Sequence, residues 1–289
     1  MNPFRPLEIA DLPRIRAYFE QCPSRLCERS AVLVMWRGLF ATEVSAGESL
    51  YIKQHYEGVP TFMPPVGGDF FAGMETLLSY CRIHRLRALF SVMSRDELEM
   101  TRGRYAVRDV KQMTDWHDYL YESQDLIELK GRRYHGQRNH ISRFDREHPD
   151  SSYRPLTDIA AARAFLDSFY RQRPPHDDFS RYEQALAYEV LENWDGYGQL
   201  GGVLAVNGEI ISLSVGETVG DTLFVHIEKA DASFAGAYQK TVNAFARLYG
   251  QNVRYINREE DMGIEGLRRS KLSYHPAALA EKYMVEVVL

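Results

Sequence analysis

The chain has 289 residues, with 35 Lys and Arg against 40 Asp and Glu, giving a formal net charge of −5. That length suits about two domains at the usual ~150 residues each, and a composition 45% hydrophobic and 26% charged is ordinary for a globular fold. The acidic balance argues against a protein that coats nucleic acid, no run reaches the ~18–20 apolar residues of a membrane span, and Cys22, Cys27 and Cys81 are too scattered for a disulfide framework or a zinc site.

The opening MNPFRPLEIADLPRIR has no apolar signal-peptide core, so the expected compartment is the cytoplasm, with reduced cysteines. Residues 31–36 and 49–53 read as short strands, and 61–65 leads into the turn Pro64-Pro65-Val66-Gly67-Gly68. Phe71, Met74, Leu77, Leu78 and Cys81 recur at helical spacing. Residues 87–93 read as a buried strand, and Ser94 with Glu97 forms a capping box that opens a short helix. Ser123 is positioned to cap the next segment, with Asp125 in its first turn. That segment is basic: residues 129–144 hold Lys130, Arg132, Arg133, Arg138 and Arg143 and no Asp or Glu, interleaved with Tyr134, His135 and His140. Gly131 and Gly136 weaken the case for one continuous helix.

Helical patterns run through 159–171 and 182–192, split by Pro174-Pro175. Three strand-like runs follow at 199–206, 210–217 and 222–228, the first two joined by the hairpin signal Asn207-Gly208. A helix at 235–249, a strand at 252–257, a short helix near 263–270 and a terminal strand at 283–288 complete the chain. Two helices, a three-strand meander, then a helix and a strand is the element order of an N-acetyltransferase-type (GNAT) domain. In such a domain the central strands splay, and the helix after the fourth strand offers its N-terminus to phosphates. Here the loop around Gly236 stands at that point, although its glycine pattern is sparser than that of CoA-binding acetyltransferases.

The densest chemistry lies in residues 255–276. The run Tyr255-Ile-Asn-Arg-Glu-Glu-Asp-Met-Gly-Ile-Glu-Gly-Leu-Arg-Arg-Ser-Lys-Leu-Ser-Tyr-His-Pro276 follows an apolar lead-in. Polar residues at the carboxyl end of a strand in an α/β fold sit where ligands bind. Glu228 ends the central strand and Asp261 follows the next one, so each is a candidate base; the alternative pairs them with Lys229 and Arg258 as structural salt bridges. Tyr274 and His275 are candidates for the leaving-group side. Asn257, Arg258 and Lys271 are candidate donors to phosphate or carboxylate, with Lys130, Arg133 and Arg138 expected to converge on the same cleft. His226, inside an alternating strand, reads as a packed or lining residue, and Trp194 and Tyr197 as packing.

Taken with Trp36, Pro64-Pro65-Val66-Gly67, Tyr121-Glu-Ser-Gln-Asp-Leu126, Leu129-Lys-Gly-Arg-Arg-Tyr-His135, Arg138-Asn-His-Ile-Ser-Arg-Phe144 and Ile227-Glu-Lys-Ala-Asp231, this block resembles the bacterial DUF2156 family, the C-terminal catalytic domain type of phosphatidylglycerol lysyltransferase. The resemblance covers nearly the whole chain. It implies an α/β (α+β) fold of two tandem GNAT-like domains with mixed, splayed sheets. The expected division is residues 1–122, a basic connecting segment 123–150, and 151–289.

It also implies transfer of an activated acyl group, from aminoacyl-tRNA, to a lipid head group or a small polar acceptor. The catalytic set is then Glu228, Asp261, Tyr274 and His275. The substrate-binding set is Lys130, Arg133, Tyr134, Arg138, Asn139, Lys229, Asn257, Arg258 and Lys271. No metal or cofactor is required, the donor being a co-substrate: aminoacyl-tRNA, or acyl-CoA or an acyl carrier. A lipid acceptor would place the chain peripherally at the inner membrane face. The membrane-embedded domain of the lipid-modifying enzymes has no counterpart here, which leaves two alternatives open: a CoA- or carrier-dependent N-acyltransferase, and a non-catalytic anion-binding protein on the same frame.

Overall fold

The computed structural model describes residues 2–22 and 24–289. The chain forms two compact units that are not consecutive halves: one comprises Met1–Asp118, Glu260–Glu265 and Leu279–Leu289, the other Tyr119–Glu259 and Gly266–Ala278.

In the first unit, seven strands among the described residues line up in the order Arg5–Pro6, Glu43–Ala46, Leu50–Tyr56, Val59–Phe62, Ala88–Met93, Tyr283–Val287, Val107–Gln112. The terminal strand, 283–287, is thus inserted between two strands of the N-terminal region, antiparallel to both. Val59–Phe62 runs parallel to Ala88–Met93. Helix Phe70–His84 packs Met74, Leu77, Leu78 and Cys81 against Phe62, Phe90 and Val285. Helix Arg95–Arg104 begins with the expected capping box, the Ser94 hydroxyl accepting from the Glu97 amide. Residues 31–36 correct an expectation. Val32–Met35 is a helical turn, not a strand, and all four of its side chains are buried. A short apolar run buried all round carries no period by which helix and strand can be told apart.

The second sheet has the order Ala278–Ala280, Asp118–Glu122, Tyr255–Asn257, Thr222–Ala230, Glu209–Val219, Leu200–Val206, Ser152–Pro155. Its meander follows the sequence signals closely. Asn207 and Gly208 take φ of 52° and 83°, the left-handed pair that a tight hairpin turn requires. Thr222–Ala230 pairs with Glu209–Val219 along its whole length, but is bonded in parallel to Tyr255–Asn257 only over Thr222–Phe224. Beyond Phe224 the two parallel strands part. The register against Glu209–Val219 jumps there too, from Gly216↔Val225 to Val215↔Ile227, leaving His226 as the extra residue of a β-bulge. Bulges of this kind re-aim a side chain next to a functional site.

The basic segment is broken into Ser123–Glu128, a 3-10 turn Arg132–Tyr134, and His135–Glu147. Ser123 is not its cap. Its hydroxyl donates to the Gly250 carbonyl, and the helix starts at Ser123 itself. Leu129 and Gly131 both take left-handed φ, at 49° and 89°, which ends the first helix.

Helix Ala237–Tyr249 follows the central strand, but its approach is closed. At Gly236, φ is 93°, and a Cβ would lie 2.5 Å from the His140 carbonyl oxygen and 3.2 Å from Phe144 Cβ. The expected opening for a ligand is filled by helix His135–Glu147. Replacing Gly236 with alanine should therefore destabilise the fold by about 2–3 kcal/mol, since left-handed strain and a backbone clash coincide. The check is a lowered melting temperature in thermal unfolding; a parental value would mean that the two helices pack more loosely than the structure has them.

Candidate functional site

Arg258 follows the strand Tyr255–Asn257 where the parallel strands part. Its Nη2 donates to Glu228 Oε1 at 2.7 Å, with both side chains largely buried. Its guanidinium lies 4.9 Å from the Tyr274 ring centroid and 6.0 Å from that of Tyr121. Burial works to lower its pKa, but Glu228, Tyr121 and Tyr274 outweigh it and raise the value. Burial pushes the phenols of Tyr121 and Tyr274 above their usual range, so both stay protonated. The other terminal nitrogen, Arg258 Nη1, is buried without a hydrogen-bond partner among the described residues. A buried donor left in that state carries a desolvation cost and marks a place for an acceptor.

The surroundings are held by backbone carbonyls. Lys271 Nζ donates to the Arg258 carbonyl at 2.5 Å, and the Tyr121 hydroxyl donates to the Lys271 carbonyl at 2.8 Å. The Tyr134 hydroxyl donates to the Tyr274 carbonyl at 3.1 Å, Gln137 Nε2 to the Ser273 carbonyl at 2.6 Å, and His275 Nε2 to the Arg133 carbonyl at 3.1 Å. The basic segment and the 273–275 turn, more than 130 residues apart in sequence, are therefore laced together.

Their charged heads do not converge as expected. Arg133 pairs with Asp125 at 2.6 Å and stacks on Tyr134. Arg138 donates to the carbonyls of Leu129 and Gly131, satisfying the broken helix end. Asn139 bonds the ring of His135, and Lys130 is exposed. Lys229 joins Glu183 at 2.7 Å, facing away toward Phe169 and Tyr170. Asn257 is fully buried, its Oδ1 accepting from the Glu259 amide at 2.6 Å, an Asx turn that fits the left-handed φ of 57° at Glu259. Asp261 lies in the first unit, where its carboxylate accepts from the Gly263 amide at 2.8 Å. The structural pairing weighed for the two carboxylates is redrawn: Glu228 takes Arg258, not Lys229, and Asp261 holds a turn. The loop before Gly236 also closes on itself. Asp231 accepts from the Ser233 amide at its carboxylate and from the Phe234 amide at its carbonyl, and Ala237 N donates to the Phe234 carbonyl.

Two clusters were not foreseen. His226, read as a packed or lining residue, is an imidazole 1% exposed between two carboxylates, with Nδ1 2.7 Å from Glu259 Oε1 and Nε2 3.3 Å from Glu217 Oε1. Burial alone would lower its pKa; the bonds to Glu217 and Glu259 overcome that and raise it to about 9. The bulge is what lets one ring reach two acids.

In the first unit, Lys282 is fully buried in an acidic cage. Its Nζ lies 2.8 Å from Glu28 Oε1, 2.8 Å from Asp118 Oδ1, 3.7 Å from Glu260 Oε2 and 3.3 Å from Cys27 Sγ. Burial pushes the Cys27 thiol and the Glu28 and Asp118 carboxyls up. Burial opposes the Lys282 charge, and Asp118, Cys27, Glu260 and Glu28 restore it. Cys27, Asp118 and Glu260 present donors within 4.8 Å of one another, a set that can hold a metal ion, but the ammonium sits among them as the cation. A lone residue near the C-terminus gave no sequence signal for this.

Residues 21–286 match the family described as phosphatidylglycerol lysyltransferase, C-terminal. The chain belongs to that family. It is 31% identical to a conserved protein of unknown function from Bacteroides thetaiotaomicron VPI-5482, over 100% of both chains, with a TM-score of 0.92. It also superposes on L-PGS from Bacillus licheniformis with a TM-score of 0.67 at 13% identity, over 96% of this chain and 92% of that one. The family's tandem GNAT-like fold accounts for the two mixed sheets. An uncharacterised protein of Mycoplasmoides gallisepticum, MYCGA3080, is 25% identical over 197 residues, 66% of this chain; the match spans 62% of that relative's length. The family and fold are those of acyl- and aminoacyl-transferases. Among the described residues no helix is long and apolar enough to cross a membrane.

The cage makes a sharp demand on Lys282. Lys282→Met leaves buried carboxylates uncompensated and should cost about 3–5 kcal/mol. Adding Asp118→Asn should recover part of that loss, and denaturant unfolding of the single and double variants measures the coupling.

His226 gives a pH signature. Its pKa is raised from an unfolded value of about 6.5 to about 9. Its contribution, about 3 kcal/mol, is fully present below pH ~6.5 and is lost as pH rises through ~9. The unfolding free energy should therefore fall between about pH 6 and pH 10 by more in the parent than in His226→Gln, because the neutral amide has no charge to lose. Equal slopes would show that Glu217 and Glu259 do not hold a proton on the ring.

Proposed function

We propose that the chain transfers an aminoacyl group from aminoacyl-tRNA to a lipid head group or a small polar amine or alcohol, at the point where the second unit's parallel strands part. The observation that carries this is Arg258 Nη1, a buried donor without a hydrogen-bond partner among the described residues, on a guanidinium that binds Glu228 and lies over the ring of the protonated Tyr274. An acyl ester is already activated, so the enzyme need only orient the acceptor, take its proton and stabilise the oxyanion. In this scheme the acceptor nitrogen or oxygen bonds to the acyl carbon. The ester C–O bond breaks, the acceptor proton passes to Glu228, and Tyr274 donates a proton to the departing oxygen. Arg258 Nη1 faces the developing oxyanion. Lys271 and His275 position the pocket through the carbonyls of Arg258 and Arg133. Glu228 is favoured over Asp261 as base, because Asp261 is committed to the Gly263 turn.

The exposed part of the basic segment, Lys130, Arg132 and His135, would meet donor phosphates. The choice of tRNA over CoA rests on the loop before Gly236. Its amides at Ser233, Phe234 and Ala237 are spent internally, Asp231 stands beside them, and a carbonyl fills the glycine's open side. A pyrophosphate would find those three amides already bonded and no room at the glycine.

The test is mass spectrometry of lipids and polar metabolites from a deletion strain complemented with the parent or with Glu228→Gln. The expected outcome is an aminoacyl adduct that the parent restores and the amide variant does not. With donor and acceptor known, Glu228→Gln should lower turnover by about 10²- to 10⁴-fold; it also removes the counter-ion of buried Arg258 and should lower the melting temperature, so turnover is compared at a temperature where the variant is folded. Parental turnover would make Glu228 no more than the counter-ion of Arg258. An adduct that forms from acyl-CoA without tRNA would reverse the donor assignment.

A further inference from the structure

Within the second unit, Ser214 stands directly across from Glu228 on one neighbouring strand and from Gly202 on the other. Residues paired in this way share a face of the sheet. Gly202, Ser214 and Glu228 thus form one row across three strands, and Arg258 extends it through its salt bridge to Glu228. Tyr153 is paired with Leu204, two residues from Gly202, and so lies on the same face. Its phenol reaches back over the glycine, where any side chain would collide with the hydroxyl. Two hydroxyls here have nothing to bind. Tyr153 Oη and Ser214 Oγ are buried without a hydrogen-bond partner among the described residues, as is Arg258 Nη1 at the other end of the row. Burial raises the Tyr153 pKa, Ser214 lowers it, and Glu228 and Tyr249 raise it further, so the phenol stays protonated. A buried hydroxyl without a partner carries a desolvation cost that folding does not recover, and native interiors keep few of them.

We propose that Ser214 and Tyr153 bind a neutral hydrogen-bonding group of the acyl acceptor, beside the atom that Glu228 deprotonates, and so select the acceptor. This rests on the transfer reading, because it takes Glu228 as the base. The row orders the parts of the reaction. The acyl carbonyl lies at Arg258, the nucleophile at Glu228, and the neutral group at Ser214 and Tyr153. A hydroxyl both donates and accepts a hydrogen bond but carries no charge. What two buried hydroxyls can hold is therefore a hydroxyl or a carboxamide rather than an ion. Glu228 and Arg258 already offset each other, so an ionised group placed beyond them would find no counter-ion on the row. An acceptor that is apolar at this point would leave both hydroxyls unpaired, and a site built to hydrogen-bond rejects such an analogue.

Two measurements on the full chain test this. The first needs no substrate. Tyr153→Phe and Ser214→Ala each remove a hydroxyl and little else. With no partner to lose, both variants should melt at or above the parental temperature. A melting temperature lowered by several degrees in either variant would show that its hydroxyl is bonded within the fold, and would overturn the proposal. The second measurement uses the acceptor identified from the adduct of the parent strain. Each variant should raise the KM for that acceptor by about five- to tenfold and leave the KM for the donor parental. The double variant should lose less than the product of the two single losses, because both hydroxyls hold one group. A parental acceptor KM in both single variants overturns the proposal and leaves the transfer reading standing. A rise in the donor KM instead also overturns it, by assigning the hydroxyls to the donor. Absence of any adduct from the parent strain removes the transfer reading and this proposal together.

Discussion

A guanidinium that cannot give up its proton is buried where two strands separate, and the second unit is arranged around that constraint. Arg258 cannot escape the cost of burial by becoming neutral, as a lysine or histidine can. It needs an anion, which Glu228 supplies, and aromatic faces, which Tyr121 and Tyr274 supply. Its own carbonyl takes Lys271, which fixes helix Glu265–Leu272, and the 273–275 turn is tied in its turn to the basic segment. The strands can part without unravelling because a charge and its counter-ion bridge them where ladder hydrogen bonds stop. One nitrogen of that charge, Nη1, has no hydrogen-bond partner among the described residues.

His226 and Lys282 show the same economy. Each is a cation enclosed by more than one carboxylate, and each is inaccessible to solvent. Apolar replacements often match such clusters in stability, so their presence is better explained by the geometry that they impose. His226 fixes Glu259, and with it the left-handed backbone that follows Arg258. Lys282 draws together the 3-10 turn Cys27–Arg29, the strand start at Asp118 and the loop at Glu260, all within the first unit.

Local signals in the sequence were reliable in most places where a local rule decides the structure, the expected cap at Ser123 being an exception. The Ser94–Glu97 capping box, the Asn207-Gly208 hairpin and the three-strand meander all follow from spacing within a few residues. The glycines of the basic segment warned of a broken helix, and Gly131 breaks it. What sequence could not show is pairing at long range. Strand Tyr283–Val287 returns to a sheet begun at the N-terminus, and nothing in its alternation names its neighbours. The cage of Lys282 is drawn from four stretches of chain, of which only that of Glu260 stood out in the sequence. Residues 257–275 stood out as the site because they combine charge with a strand end, but that density did not reveal which charges face inward. Asn257 and Asp261 hold turns, whereas Arg258 and Lys271 are buried.

The arrangement of helix Glu265–Leu272 follows from this inward demand. Lys271 is turned toward the fold because the Arg258 carbonyl and the Tyr119 ring hold it there. The same few residues thus link the interior of the candidate site to the surface of the unit. Lys271 and Leu272 are adjacent in sequence, one bound to the backbone of the central arginine and the other facing out. Leu272 is therefore one residue away from the group that holds the Arg258 carbonyl at the point where the strands part.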